Sequence, residues 1–166
     1  TLRLSAMLTA TGGVVGVTQH QLEGMANAMA AATRFDDTGI KNAQSIMPTF
    51  SNVTGDVFTR AMSLAADYSE LLGVDLTSSA RILGRAFNDP VNGMSMLSRA
   101  IGHLDPETKD LIKTFYENGE TLKAQIALAE ALEKRFGGLA TTMGGSSVVA
   151  VDKLKNAYSD LTKELA

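Results

Sequence analysis

Apolar residues recur at helical spacing along most of this chain, and the clearest example follows Thr54-Gly55-Asp56. One face of that segment is apolar and carries Val57, Ala61, Leu64, Tyr68 and Leu71. Another face is polar and carries Asp56, Arg60, Ser63, Asp67 and Glu70. This spacing predicts a half-buried amphipathic helix, and Gly73 marks its end.

Signals for helix starts predict two helices before this one. Thr18 and Gln21 have the spacing of a capping box, in which each side chain can accept a backbone hydrogen bond, so a helix is predicted over residues 19–33. The turn Asp36-Asp37-Thr38-Gly39 offers oxygen caps and predicts a second helix over residues 39–48.

Proline, glycine and capping residues separate four more predicted helices. Asp75 or Thr77 caps the first, which runs to Phe87, and Pro90 opens the second, which reaches Ile101. The third begins at Asp105-Pro106-Glu107 and ends at Asn118-Gly119, and the fourth ends at Gly137-Gly138. The apolar residues expected to face inward are Leu111, Ile112 and Phe115 in the third and Leu122, Ile126, Ala129, Leu132 and Phe136 in the fourth.

A last predicted helix covers residues 148–166. Its apolar residues alternate at spacings of three and four, namely Val151, Leu154, Tyr158, Leu161 and Leu165. That rhythm fits a short coiled coil as well as the packing of a terminal helix on a core, and both alternatives stay open. Because the helical pattern still runs at Ala166, we expect the chain to be a piece of a longer protein.

Together these patterns predict an all-α fold, a compact array of about seven short helices plus a C-terminal helix. The domain division expected is an uncharged, flexible N-terminal segment over residues 1–17, a globular helical domain over 18–138, a Gly/Ser joint over 139–147, and the C-terminal helix. Composition agrees with helices, since 45% of residues are apolar but only 5% are aromatic and Trp is absent. A core rich in Ala, Leu and Met suits close helix packing better than a sheet.

Charge and composition also argue against several classes of function. The net charge is −3 and no run of Lys or Arg occurs, so a phosphate-binding surface for sequence-specific nucleic-acid recognition is not expected. The uncharged stretch between Arg3 and Glu23 contains too many polar residues and glycines for a transmembrane span. The absence of Cys removes disulfides, thiolate metal sites and Cys nucleophiles.

Residues that could support catalysis or metal binding are scattered. His20 and His103 are the two histidines. Gly24 lies four residues after His20, and His103 precedes the helix cap at Asp105, so we expect His103 in a loop rather than on a helical face shared with Glu107. The acid pairs Asp36-Asp37 and Glu130 with Glu133 fit a solvated helix surface. Two glycine clusters, residues 12–16 and 144–147, lack the lysine of a phosphate-binding loop. We therefore predict no catalytic, cofactor-binding or metal-binding residues, no cofactor and no enzymatic activity.

The most informative block is residues 80–97, where an apolar helical run stops at Asn88-Asp89-Pro90 and another starts at once. It contains the string L-G-x-A-F-x-D-P-x-x-G-x-x-x-L, from Leu83 to Leu97. Related motifs occur in order around it: a helix ending A-A-A-T-R-F, then Asn42-Ala43-Gln44, Phe50, Thr54-Gly55-Asp56-Val57-Phe58, Ala65-Ala66-Asp67-Tyr68, Asn118-Gly119, Ala124-Gln125 and Phe136-Gly137-Gly138.

This ordered set, spread over residues 22–140, resembles the phage tail length tape measure proteins. The resemblance implies a structural virion component that sets tail length during assembly and sits in the tail tube until DNA ejection. It implies tail tube and baseplate proteins and tail assembly chaperones as partners, possible self-association, and a location in the phage tail and, during assembly, the host cytoplasm. The alternatives are a stand-alone helical adaptor and, as a weaker one, a cell-wall hydrolase module.

Overall fold

A computed structural model describes residues 18–144, and every regular element in that part of the chain is helical. The long helices are α1 (Gln19–Ala32), α2 (Asp37–Ile46), α3 (Gly55–Leu72), α4 (Leu76–Asn88), α5 (Pro90–Ile101), α6 (Pro106–Glu117) and α7 (Thr121–Phe136). A 3₁₀ turn, Met47–Thr49, follows α2, and a short helix α8, Leu139–Met143, follows α7. The predicted all-α array is confirmed. The uncharged segment 1–17 and the predicted helix 148–166 lie outside the described residues.

Local capping explains most of the helix boundaries. Thr18 and Gln21 form the predicted capping box, with the Gln21 N–H donating to Thr18 Oγ1 at 3.1 Å and the Thr18 N–H donating to Gln21 Oε1 at 2.7 Å. A side-chain carboxylate caps four later helices, through Asp36, Asp75, Asp89 and Asp105. Oxygen caps are preferred there because they satisfy backbone donors that have no partner within the helix.

Proline and glycine set further boundaries. Pro90 and Pro106 lie in the first turns of α5 and α6, where a missing N–H costs nothing. Gly73 ends α3 in the left-handed conformation with φ 69°, which a residue without Cβ adopts without strain. Helix α2 has the predicted length but lies two residues earlier than predicted, because Asp36 is its cap and Pro48 falls within the 3₁₀ turn that follows Ile46.

Helix α3 lies at the centre of the domain. It packs against α4, α7 and α8, while α4 also contacts α2 and α5, and α6 packs mainly against α7 and α5. The largest fully buried aromatic side chains are Phe58 on α3 and Phe87 on α4. Most other core residues are Ala, Leu and Met, which allow the helix axes to approach closely.

Three predictions about which residues face inward are wrong. The apolar pattern predicts burial of Leu71, Leu111 and Leu122, but they are 43%, 47% and 57% exposed. Each lies near a helix end or on a peripheral helix, where no neighbouring element covers it. Conversely, the pattern assigns Asp67 to a polar face, and Asp67 is buried together with Thr59 and Ser69. Helix α3 has neighbours on several sides, so its polar face is covered at Asp67, while the other polar residues of that face are half-buried.

The first residues of the expected Gly/Ser joint, 139–147, are helical. Residues 139–143 form α8, and Ala140 is buried against the core. The described part of that segment is therefore helical and attached to α3, and residues 145–147 lie outside the described range.

Candidate functional site

The motif block forms the junction between α4 and α5. Asp89 is both the C-cap residue of α4 and the N-cap residue of α5. Its carboxylate accepts hydrogen bonds from the Asn92 N–H at 3.2 Å and from Asn92 Nδ2 at 2.6 Å. Pro90 begins α5 and is buried. The predicted break and restart at Asn88-Asp89-Pro90 is thus a tight corner between two helices.

Two glycines of the block allow unusually close packing. A Cβ on Gly84 would lie 2.2 Å from Cε2 of Phe50, and a Cβ on Gly93 would lie 2.4 Å from the backbone oxygen of Ala86. No side chain fits at either position without movement of its neighbours. Glycine is therefore required here by contact between elements, at negative φ, rather than by backbone conformation.

A polar connection ties the same junction to α7 and to the loop before α3. The Asn52 N–H and Nδ2 donate to Asn88 Oδ1 and to its backbone oxygen, both at 3.0 Å. Gln125 is buried, and its Nε2 donates to the backbone oxygens of Asn52 at 2.7 Å and Phe87 at 2.8 Å. The bonds from Gln125 satisfy backbone acceptors in the interior of the junction, whereas the bonds between Asn52 and Asn88 lie at the surface.

The junction therefore assembles motifs that are far apart in the sequence. Phe50, the Gly84 to Phe87 string, Asp89-Pro90 and Gln125 meet around one point, although they span three separate stretches. Their contacts are packing contacts and hydrogen bonds of polar side chains, mostly to backbone groups. The geometry therefore supports a structural role for the motif block, residues 80–97.

Asp67 is a second notable position, and the sequence analysis missed it. Its carboxylate accepts hydrogen bonds from the N–H groups of Gly138 at 3.1 Å and Ala140 at 2.8 Å, at the start of α8. Burial raises the pKa of Asp67 to about 6; the two backbone hydrogen bonds oppose the shift and the charge of Glu133 adds to it. No local signal marked its burial, because Asp67 falls on the polar face of the amphipathic pattern of α3.

Two ion pairs fasten α3 to other parts of the domain. Arg60 Nη2 lies 2.8 Å from Glu133 Oε1 on α7, and Arg34 Nη2 lies 2.7 Å from Glu70 Oε2. In each pair a second guanidinium nitrogen donates to the other carboxylate oxygen. Such two-point contacts fix orientation, although partly exposed pairs add at most about 1 kcal/mol each.

Among the residues that the structure describes, chemistry-bearing groups do not converge. His20 is exposed on α1, and His103 lies in the loop before α6, where its Nδ1 is 3.2 Å from Lys109 Nζ. No group of three or more His, Cys, Asp or Glu side chains in residues 18–144 could hold a metal ion. No helix in that range is both long and apolar enough to cross a membrane.

The most open surface surrounds α6, of which Ile112 is the single buried residue. A cleft of about 390 Å³ lies between α5 and α6, and one of about 530 Å³ lies between α6 and α7. The exposed Leu111 lines the second cleft, beside Ala127 and Ala131. This surface is the part of the described domain best suited to contact another protein.

Comparison with known proteins gives one match. A family model described as prophage tail length tape measure protein matches residues 1–113. No curated protein and no solved structure matches the chain.

Proposed function

This chain belongs to the prophage tail length tape measure proteins, a family with a structural role in the phage tail, and from that premise we propose how the segment contributes. The segment is a compact helical domain of a protein that sets tail length during assembly and occupies the tail tube until DNA ejection. The observation that carries the proposal is the family match over residues 1–113, which includes α1 to α5 and most of α6.

The shape of the described domain supports a role beside the ruler rather than as the ruler. Its longest helix, α3, has 18 residues. At 1.5 Å per residue such a helix extends about 27 Å, and the glycine and proline boundaries prevent the helices from joining into one rod. The extended, length-measuring part therefore lies elsewhere in the protein, and residues 148–166 are our candidate for where it starts.

The family places the partners of this protein among phage tail components. We extend this to tail tube and baseplate proteins and tail assembly chaperones as direct partners, to self-association, and to a period in the host cytoplasm before the tail is complete. The clefts on both sides of α6 and the exposed Leu111 and Leu122 support a protein-binding surface on the domain.

Deletion of residues 18–138 in the prophage tests the proposal, with tail length measured by electron microscopy and the polypeptide detected in purified tails by mass spectrometry. We expect the wild-type protein in tails. We also expect tails of unchanged length in the deletion variant, or in a variant that duplicates residues 18–138 if the deletion prevents assembly.

Two results would contradict different parts of the proposal. Absence of the wild-type polypeptide from purified tails would contradict the tail role itself. Shortening by about 180 Å, the length of these residues as one continuous helix, would show that the domain acts as ruler.

A further inference from the structure

Helix α8 depends on α3 for its existence. It has five residues, Leu139–Met143. An isolated helix of that length is unstable in water, because the entropy lost in forming the first turn exceeds the stabilisation from its few hydrogen bonds. Its first turn is held by the Asp67 carboxylate, and Ala140 is buried against the core. Undocking and unfolding of α8 are therefore one event.

The chain before α8 provides the hinge for that event. Gly138 has φ +83°, a conformation that an L side chain adopts with strain, and open space surrounds the position of its missing Cβ. The structure assigns to Asp67 and α8 the role of a latch, in which α8 closes on α3 or opens at Gly138 while the rest of the domain stays folded, and in which closure is coupled to proton uptake by Asp67. This latch does not depend on the proposed role in the tail.

The charges around Asp67 set the direction of that coupling. The charged group that acts on it from α7 is Glu133, which binds Arg60 of α3, and Glu70 of α3 is paired with Arg34. Helix α8 has no titratable side chain, and the two arginines of α4 are exposed. No cation in the described part of the chain pairs with the buried carboxylate, so its ionised form is disfavoured when the latch is closed.

Opening returns the carboxylate to water. The pKa of Asp67 is about 6 in the closed latch, whereas an exposed aspartate titrates near 3.9. The proton therefore binds the closed form more tightly, and by linkage a fall in pH favours closure. Between pH 7.5 and pH 5 the ratio of closed to open latch rises about tenfold.

Opening also changes how far the following chain can reach. Seven residues, 138–144, leave the surface of the domain when the latch opens. In an extended conformation they span about 20 Å. The latch thus sets the length of the connection between the helical domain and residue 145 onwards.

Amide hydrogen exchange tests the latch in the full chain. The Thr142 and Gly144 N–H groups donate to the backbone oxygens of Gly138 at 3.1 Å and Ala140 at 3.0 Å, so their protection reports closure directly. After correction for intrinsic exchange rates, we expect their protection to be about tenfold higher at pH 5 than at pH 7.5. At both pH values they should exchange faster than amides in the middle of α3.

Asp67→Asn is the matching variant, because it keeps the size of the side chain and removes its charge. We expect the corrected protection of α8 in this variant to be the same at pH 5 and pH 7.5, because no group titrates at this position. The Gly138 and Ala140 amide resonances, which titrate together near pH 6 in the wild type, should lose that transition. Asp110→Asn, an exposed carboxylate on α6, is the control and should change neither readout.

Three outcomes would overturn the latch. Protection of α8 equal to that of α3 would show that α8 opens with the whole domain. Equal corrected protection at pH 5 and pH 7.5 in the wild type would remove the proton coupling, and this comparison holds even if Asp67→Asn fails to fold. A pH dependence of α8 protection that persists in a folded Asp67→Asn variant would show that Asp67 is not the group that takes up the proton.

Discussion

Helices α3 and α6 are both amphipathic, although α6 is the more polar, and they are buried to very different degrees. Eleven of the 18 residues of α3 are buried, including Thr59, Asp67 and Ser69. Of the 12 residues of α6, Ile112 is buried. The reason is the number of neighbours, since α3 packs against α4, α7 and α8 whereas α6 packs mainly against α7 and α5. An apolar face predicts that a helix is packed, and the tertiary arrangement decides how much of it is covered.

Replacing one leucine by alanine in each helix should give the largest difference in the free energy of unfolding. Leu64 on α3 is 1% exposed and Leu111 on α6 is 47% exposed. Leu64→Ala leaves a cavity in a closely packed core and should lower the free energy of unfolding by about 3 kcal/mol. Leu111→Ala should lower it by about 0.5 kcal/mol. Equal losses in urea melts would show that α6 is as tightly covered as α3 in solution.

A pair of glycine substitutions tests the close packing of the α4–α5 junction. Gly93→Ala places a Cβ against the backbone of Ala86, so the two helices must move apart, and we expect a loss of about 2 kcal/mol. Gly24 on α1 is exposed, and a methyl group added there would have no neighbour within 4 Å, so Gly24→Ala should gain about 0.5 kcal/mol through helix propensity. Guanidinium melts measure both values, and a stabilising Gly93→Ala would contradict the geometry of the junction.

The buried polar position of α3 should make stability depend on pH. Because burial raises the folded-state pKa of Asp67 to about 6, its contribution is fully present below the unfolded value near 3.9 and is lost as pH rises through 6. The wild type should gain about 1 kcal/mol relative to Asp67→Asn when the pH falls from 7 to 5. Urea melts of both proteins at the two pH values give this difference, and groups unaffected by the substitution cancel from it. An opposite sign would show that the hydrogen bonds from Gly138 and Ala140 outweigh burial.

The smallest expected effect compares the two first-turn prolines. Pro90 is buried at the α4–α5 corner, and Pro106 is exposed at the start of α6. Neither residue removes a needed hydrogen-bond donor, so each alanine variant mainly gains freedom in the unfolded state. We expect Pro90→Ala to lose about 1 kcal/mol, since buried contacts also go, and Pro106→Ala about 0.5 kcal/mol. Stabilisation by Pro90→Ala would indicate a strained junction rather than a relaxed one.

The local features of the fold were accessible from the sequence. Capping residues such as Thr18 and Asp105, first-turn prolines and Gly73 act within a few residues of themselves, so their positions predict where helices begin and end. All seven long helices were found in this way, and the motif block around Asp89-Pro90 supported a family resemblance that the match over residues 1–113 confirms.

Contacts between distant residues were decided by the tertiary structure. The packing of Phe50 on Gly84, the hydrogen bonds from Gln125 to Asn52 and Phe87, and the attachment of α8 to Asp67 join positions 34 to 73 residues apart. Periodicity assigns each side chain to a face of its own helix, but it carries no information on how many other helices cover that face. For this reason the sequence by itself determined the helices and the family, whereas the burial of Asp67, the exposure of Leu111 and the convergence of the motifs at one junction depended on how the helices pack.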